Sequence, residues 1–333
     1  MSRSSIVIVS PALAEANNGN WQTASRWREM LAARHEARIV KRWPDEAAAG
    51  DDIMLALHAR KSADSVQAWV AARGSRGLAV VLTGTDLYQD IAYDASAQAS
   101  LDSAARLVVL QEMGVAALPA QHGAKARVIY QSTSALEPLD KPRDFLGAVM
   151  VGHLREVKSP QTLFEAAVLL KDRPDIRIDH IGEASEPLWA ERAQAAMAAS
   201  PHYHWLGSVP HEDTRRAIQR AHVLVHTSAL EGGAHVIMEA VRSGTAVLAS
   251  RVSGNLGMLG ADYEGYFPHG DAAALAALLA RCRDESARGA KDPAASLLAR
   301  LGRQCRLRAP LFAPEAEQAS LLQLIQDIQD DTP

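Results

Sequence analysis

Short apolar runs recur along the chain and set its rhythm. In the first half they fall at 6–10 (IVIVS), 53–59 (IMLALHA), 78–84 (LAVVLTG), 106–111 (RLVVLQ) and 127–132 (RVIYQS). In the second half they fall at 146–154 (LGAVMVGHL), 176–182 (IRIDHIG), 202–209 (HYHWLGSV), 222–228 (HVLVHTS), 246–253 (AVLASRVS) and 265–270 (GYFPHG). Runs of this length, bounded by glycine and polar residues, read as buried strands. The stretches between them are rich in Ala, Glu and Arg and read as amphipathic helices. Strands alternating with helices predict parallel sheets covered on both faces, so the chain reads as two doubly wound α/β units in series. The expected boundaries are 1–142 and 143–310, joined by the proline- and charge-rich segment 135–144 (ALEPLDKPRD), with a last helix over 314–333 returning to the first unit. The stretch 288–296 (RGAKDPAAS) reads as a surface loop. In open α/β sheets ligands bind beyond the carboxyl ends of the strands, which predicts one cleft between the two units.

Composition narrows the class. A chain of 333 residues, 48% of them hydrophobic, has material for two cores. A net charge of −4 gives no reason to expect a nucleic-acid partner or an anionic membrane. Cys282 and Cys305 are the two cysteines, without the paired spacing of a zinc site or disulfide framework, and no metal is expected. The apolar run near the start (MSRSSIVIVSPAL) is too short for a signal peptide or a membrane span, and no run of about 18 apolar residues occurs. A cytoplasmic protein with no membrane partner is the expectation. The loop after the first strand (ANNGNWQTASRW) is not a Gly-x-Gly-x-x-Gly fingerprint, so neither a nicotinamide nor any other cofactor is expected.

The candidate chemistry sits at strand ends. Glu231 and Glu239 flank the turn Gly232-Gly233-Ala234, the first on a strand-to-helix loop and the second about two turns into a helix. Glycines let the backbone approach a ligand and leave amides open at a helix start. Carboxylates beside such amides suit a polyhydroxylated ligand with an anionic group. The same pair also reads as two solvated acids favoured by a helix dipole. In the first half, the backbone amides at Asn18, Gly19 and Asn20 open a helix where an anion fits. The strand 53–59 ends in His58, Arg60 and Lys61, with Ser62 placed to cap the next helix. These cations read either as a solvated turn or as a holder for a phosphate-like group. The next strand ends in Thr83, Gly84 and Thr85, followed by Asp86, which reads as a general base, an acceptor-positioning group or a helix cap. Trp205 and Leu206, before Gly207, read as the edge of a base pocket or as core.

Residues 145–280 resemble the donor domain of retaining GT-B glycosyltransferases of family 4. The resemblance rests on the Glu231-x7-Glu239 segment, on VGHLREVKSPQTLFEAA at 151–167, and on YHWLGSVPHEDTRRAIQRAHVLVHTS at 203–228. It implies that Glu231 meets the donor sugar, that Glu239 holds the ribose hydroxyls, and that Gly152 and Lys158 meet the pyrophosphate. That family usually carries arginine where this chain has His153, with Arg155 nearby. The family's acceptor histidine has no counterpart at 83–86. A narrower resemblance runs over nearly the whole chain, through NNGNWQTASRW, LHARKSADS, LTGTDLYQDI, VVLQEMG, VIYQS, VGHLREVKSP, EGGAHVIMEAV and SGNLGMLGADYEGYFP. These strings are similar to the selenosugar synthases of selenoneine biosynthesis. The resemblance implies a UDP-sugar donor (UDP-N-acetylglucosamine or UDP-glucose), a selenophosphate acceptor, catalytic roles for Glu231, Lys158 and Asp86, and an acceptor site built from the first-half residues named above. The alternatives are an O- or S-glycosyltransferase with another small acceptor, and a non-catalytic nucleotide-sugar-binding protein.

Overall fold

The computed structural model describes residues 3–14, 19–287 and 292–330. Residues 288–291 of the predicted 288–296 loop thus lie outside the described residues, as does Asn18. The chain divides into two compact units. One runs to Gln131 and regains the chain from Pro314, and the other is Ser132–Ala313.

The first unit is a six-stranded sheet in the order β2-β1-β3-β4-β5-β6. Its strands are β1 Ser5–Val9, β2 Glu36–Val40, β3 Ile53–Leu57, β4 Leu78–Leu82, β5 Arg106–Val109 and β6 Ala126–Val128, all paired in parallel. Strand side chains alternate between faces, so one apolar run feeds two cores. Val7, Val9, Met54, Ala56, Val80 and Leu82 pack on one face with Trp69 of the helix Ala63–Arg73. Ile6, Ile8, Leu55, Leu57 and Val81 pack on the other with Trp27 and Leu31 of the helix Gly19–Leu31. That second face also takes Leu321, Leu324, Ile325 and Ile328 of the helix Pro314–Asp330. Its buried Glu317 accepts from Arg26 Nε at 2.7 Å and from Trp27 Nε1 at 2.7 Å.

Strand β2 has no place among the five runs expected in this half. Its sequence EARIV carries polar residues at an edge, and no residue in it is fully buried. An edge strand paired on one side needs no continuous apolar run.

The second unit is a six-stranded sheet in the order β12-β11-β10-β7-β8-β9. Its strands are β7 Leu146–Val151, β8 Ile176–Ile181, β9 Tyr203–Gly207, β10 Val223–His226, β11 Ala246–Ser250 and β12 Tyr266–Phe267, again all parallel. Residues 132–144 hydrogen-bond onto this unit. Leu136 N donates to Arg242 O at 3.1 Å, and Gln219 Nε2 donates to Glu137 O at 2.7 Å.

In each sheet two central strands send their connections in opposite directions: β1 and β3 in the first, β7 and β10 in the second. Such a reversal leaves a crevice beyond the strands' carboxyl ends, where doubly wound sheets bind ligands. Among the described residues no helix is long and apolar enough to cross a membrane.

Candidate functional site

At the reversal point of the second sheet, the loops after β7 and β10 are stitched together by backbone. Ala229 N donates to Val157 O at 2.9 Å, and Thr227 Oγ1 donates to Lys158 O at 2.6 Å. These bonds bring Lys158 Nζ to 2.5 Å from Glu231 Oε1. His226 Nε2 lies 3.1 Å from the same oxygen. Burial by itself would raise the Glu231 carboxyl. Lys158 and then His226 outweigh that effect and hold it well below the usual carboxylate range. Glu231 therefore stays ionised in a site that is only 9% exposed.

Two glycines without a predicted role make this approach possible. A Cβ on Gly254 would lie 2.0 Å from Glu231 O, and one on Gly182 would lie 2.0 Å from Gly152 O. Gly182 also has φ +154, a conformation that favours glycine. A Cβ on Gly152 would lie 3.8 Å from Lys158 Cγ and Cδ, ordinary van der Waals contact. His153 and Arg155 are exposed on the same loop.

The helix after the Glu231 loop is His235–Arg242, so Glu239 stands just over one turn in rather than two. Gly232 and Gly233 remain outside it, as does Ala234 at the cap. Glu239 is buried, and its Oε1 lies 2.8 Å from Nε2 of the exposed His211. Trp205 is half-buried and donates through Nε1 to Gly182 O at 2.7 Å, while Leu206 beside it is 50% exposed.

In the first unit, the loops after β3 and β4 meet around Asp86. This residue is wholly buried, and its carboxylate accepts three backbone amides: Ala59 N at 3.0 Å, Thr83 N at 2.9 Å and Gly84 N at 2.8 Å. Asp86 thereby ties the His58 loop to the Thr83-Gly84-Thr85 turn. His58 is buried with φ 72, a left-handed conformation that costs a non-glycine residue on the order of 1–3 kcal/mol. Its Nδ1 accepts from Lys61 N at 3.4 Å, and Nε2 lies 3.2 Å from Thr85 Oγ1. Burial, ahead of the opposing pull of Asp86, pushes its pKa down, so His58 is a neutral ring and the cations here are Arg60 and Lys61. Arg60 Nε pairs with Asp90 at 3.0 Å, and Lys61 is exposed. Ser62 occupies the cap position of the next helix without capping it; its hydroxyl donates to Leu57 O at 2.6 Å. Gly19 and Asn20 open the helix after β1, the strand next to β3, and Thr23 Oγ1 donates to Gly19 O at 2.8 Å.

The structure thus gathers Lys158, Glu231 and His226 in one unit, and His58, Arg60, Thr85 and Asp86 in the other. His226, His211, Gly182 and Gly254 carry no sequence expectation of their own. Their types signal nothing in isolation, and their partners lie up to 30 positions away. Among the described residues no group of three or more His, Cys, Asp or Glu is placed to hold a metal ion.

Residues 134–291 match the family model of Glycosyl transferases group 1. A stretch of 119 residues, 35% of this chain, is 25% identical to the phosphatidylinositol N-acetylglucosaminyltransferase gpi3 subunit of Schizosaccharomyces pombe, spanning 26% of that protein. Sucrose-phosphate synthase from Thermosynechococcus elongatus superposes with a TM-score of 0.78 at 20% identity, over 99% of this chain and 100% of the other. Anabaena HepE in complex with UDP and glucose gives 0.66 at 15% identity, over 99% of both. At such identities these structures speak for the fold. The two parallel sheets have the GT-B fold, and the stretch that matches the glycosyl transferases group 1 model lies within the second unit.

Proposed function

We propose that this chain transfers a sugar from a UDP-sugar to selenophosphate. The carrying observation is the ionised Glu231 held against Lys158 at the reversal point of the second sheet. A carboxylate kept charged in a buried site accepts from vicinal hydroxyls, and the neighbouring ammonium meets a diphosphate. The UDP complex of HepE, a GT-B neighbour, supports the nucleotide assignment. Lys158, with Arg155 and the amides of Gly152 and Gly232-Gly233, takes the pyrophosphate. Glu231 orients the sugar, and Glu239, buried beside His211, takes the ribose, with Trp205 and Leu206 towards the base.

Selenophosphate is assigned to Arg60 and Lys61, with His58 as a neutral hydrogen-bonding ring and with Thr83, Gly84, Thr85, Gly19 and Asn20 around it. The acceptor is already an anion, so it needs no general base. Asp86, saturated by three amides, serves by holding the two loops. Selenium attacks the anomeric carbon, the bond to the β-phosphate oxygen breaks, and UDP leaves with that electron pair, its growing charge offset by Lys158. Water cleavage of the Se–P bond then gives phosphate and the selenosugar. The strings shared with the selenosugar synthases favour this acceptor over an oxygen or sulfur nucleophile.

The test is UDP release from UDP-N-acetylglucosamine and from UDP-glucose, with and without selenophosphate, with mass spectrometry of the product. The expected result is selenophosphate-dependent release and a selenium isotope pattern on the sugar. Release that ignores selenophosphate sinks the acceptor assignment, and binding without release sinks the activity.

A further inference from the structure

At the amino ends of β7, β10 and β11, the far end of the second sheet from Gly152 and Glu231, lies a cavity of about 630 Å³. Its walls come from residues 139–145, from the helix Ala272–Ser286 and from the helix Leu297–Arg308. Lys141, Arg143, Arg283, Arg303 and Arg306 line it, against the one acid Asp140. Arg283 is already matched by Asp175 at 2.9 Å. His222, also in the wall, adds no charge. Burial first of all lowers its pKa, its Nδ1 accepts from Gly147 N, and its Nε2 donates to Pro142 O at 2.7 Å.

Lys141 is in a different position. Its ammonium donates to Thr245 Oγ1 at 3.1 Å, and that hydroxyl spends its own proton on Ile218 O at 2.8 Å. Burial alone accounts for the fall of its pKa to about 8, with no carboxylate offsetting it. A cation taken out of water without a counter-charge is costly, and an anion restores what it has lost. The exposed Arg303 and Arg306 stand one helical turn apart on the facing wall.

We propose that this cavity is a second ligand site, for a small phosphate-bearing metabolite whose phosphate sits between Lys141 and the Arg303–Arg306 wall. The volume exceeds that of a bare phosphate and falls in the range of small-molecule sites. The occupant adjoins the carboxyl end of the helix that carries Glu239, since Thr245 N donates to Ala240 O at 2.9 Å.

The test uses the full chain with inorganic phosphate, titrated at constant ionic strength and pH 7.5, and reads the thermal midpoint and heat of binding. Because Lys158 and the Arg60–Lys61 pair also attract phosphate in the reading above, the titration is made in a background carrying Lys158→Gln, Arg60→Gln and Lys61→Gln. The expected result is saturable stabilisation there, lost on adding Lys141→Met and about tenfold weaker on adding Arg306→Glu. Absence of saturable binding in the background protein overturns the proposal, as does equal affinity in all three proteins. Should Lys141→Met fail to fold, the exposed Arg306 variant decides alone. UDP release from a UDP-sugar is a separate readout, so the donor assignment and this site fail independently.

Discussion

Lys158, Glu231 and His226 form one contact cluster, and substitutions there separate structure from chemistry. Lys158→Ala leaves the Glu231 carboxylate buried beside the histidine alone. The expected cost is roughly 2–3 kcal/mol in the second unit, read by urea denaturation. The same variant is expected to slow UDP release ten- to a hundredfold. Lys158→Gln keeps a donor to Glu231 without the charge. It should recover much of the stability and none of the rate, and recovery of both would remove the ammonium from the leaving-group role. Glu231→Gln replaces one acceptor oxygen with a donor, so it should alter the preference between UDP-sugars as well as the rate. A change in stability alone would make Glu231 a purely structural residue.

The elements are set by close backbone approaches, and these are testable at single glycines. The helix Ser253–Leu259 rests Gly254 directly on the Glu231 carbonyl, so a methyl there has backbone and not a flexible side chain in its way. Gly254→Ala is expected to cost about 1–3 kcal/mol and to weaken UDP binding by displacing the Glu231 loop. Unchanged calorimetric affinity for UDP would show that the loop tolerates the shift. In the first unit, Glu317 anchors the last helix by accepting from Arg26 and Trp27 out of water. Glu317→Ala leaves the indole and part of the guanidinium without their acceptor. A loss of roughly 2–4 kcal/mol in that unit is expected, with Trp27 fluorescence reporting the release of the helix.

Across the molecule, buried histidines link stability to pH. His180 in β8 is fully buried, and burial lowers its pKa to about 4. Its folded pKa lies below the unfolded value near 6.5, so the unfolded chain binds the proton first. The stabilisation is fully present above about 6.5 and falls with the pH down to about 4. Between pH 7 and pH 5 the second unit should lose about 2 kcal/mol from this group. Urea midpoints against pH measure it, and His180→Leu should flatten the slope. An unchanged slope would assign the effect to other groups.

How far the sequence carries this protein differs between its parts. Eleven of the twelve described strands were legible as apolar runs, and the eight central ones, paired on both sides and buried between helices, admit little else. The exception is β2, whose edge position lets it keep Glu36 and Arg38. Local pattern also marks the strand-end loops where ligands bind, and the pair Glu231 and Glu239 within them. Only the tertiary structure decides which of those side chains are charged and which face each other. His58 reads as a cation beside Arg60 and Lys61, yet burial makes it neutral. Asp86 reads as a general base, an acceptor-positioning group or a helix cap, and three amides from two loops close around it. Lys158 and Glu231 lie 73 residues apart, and the strand order of the second sheet puts them 2.5 Å from one another. Periodicity is a property of neighbours along the chain, whereas ionisation and pairing depend on desolvation and distance, which exist once the sheet has ordered its strands.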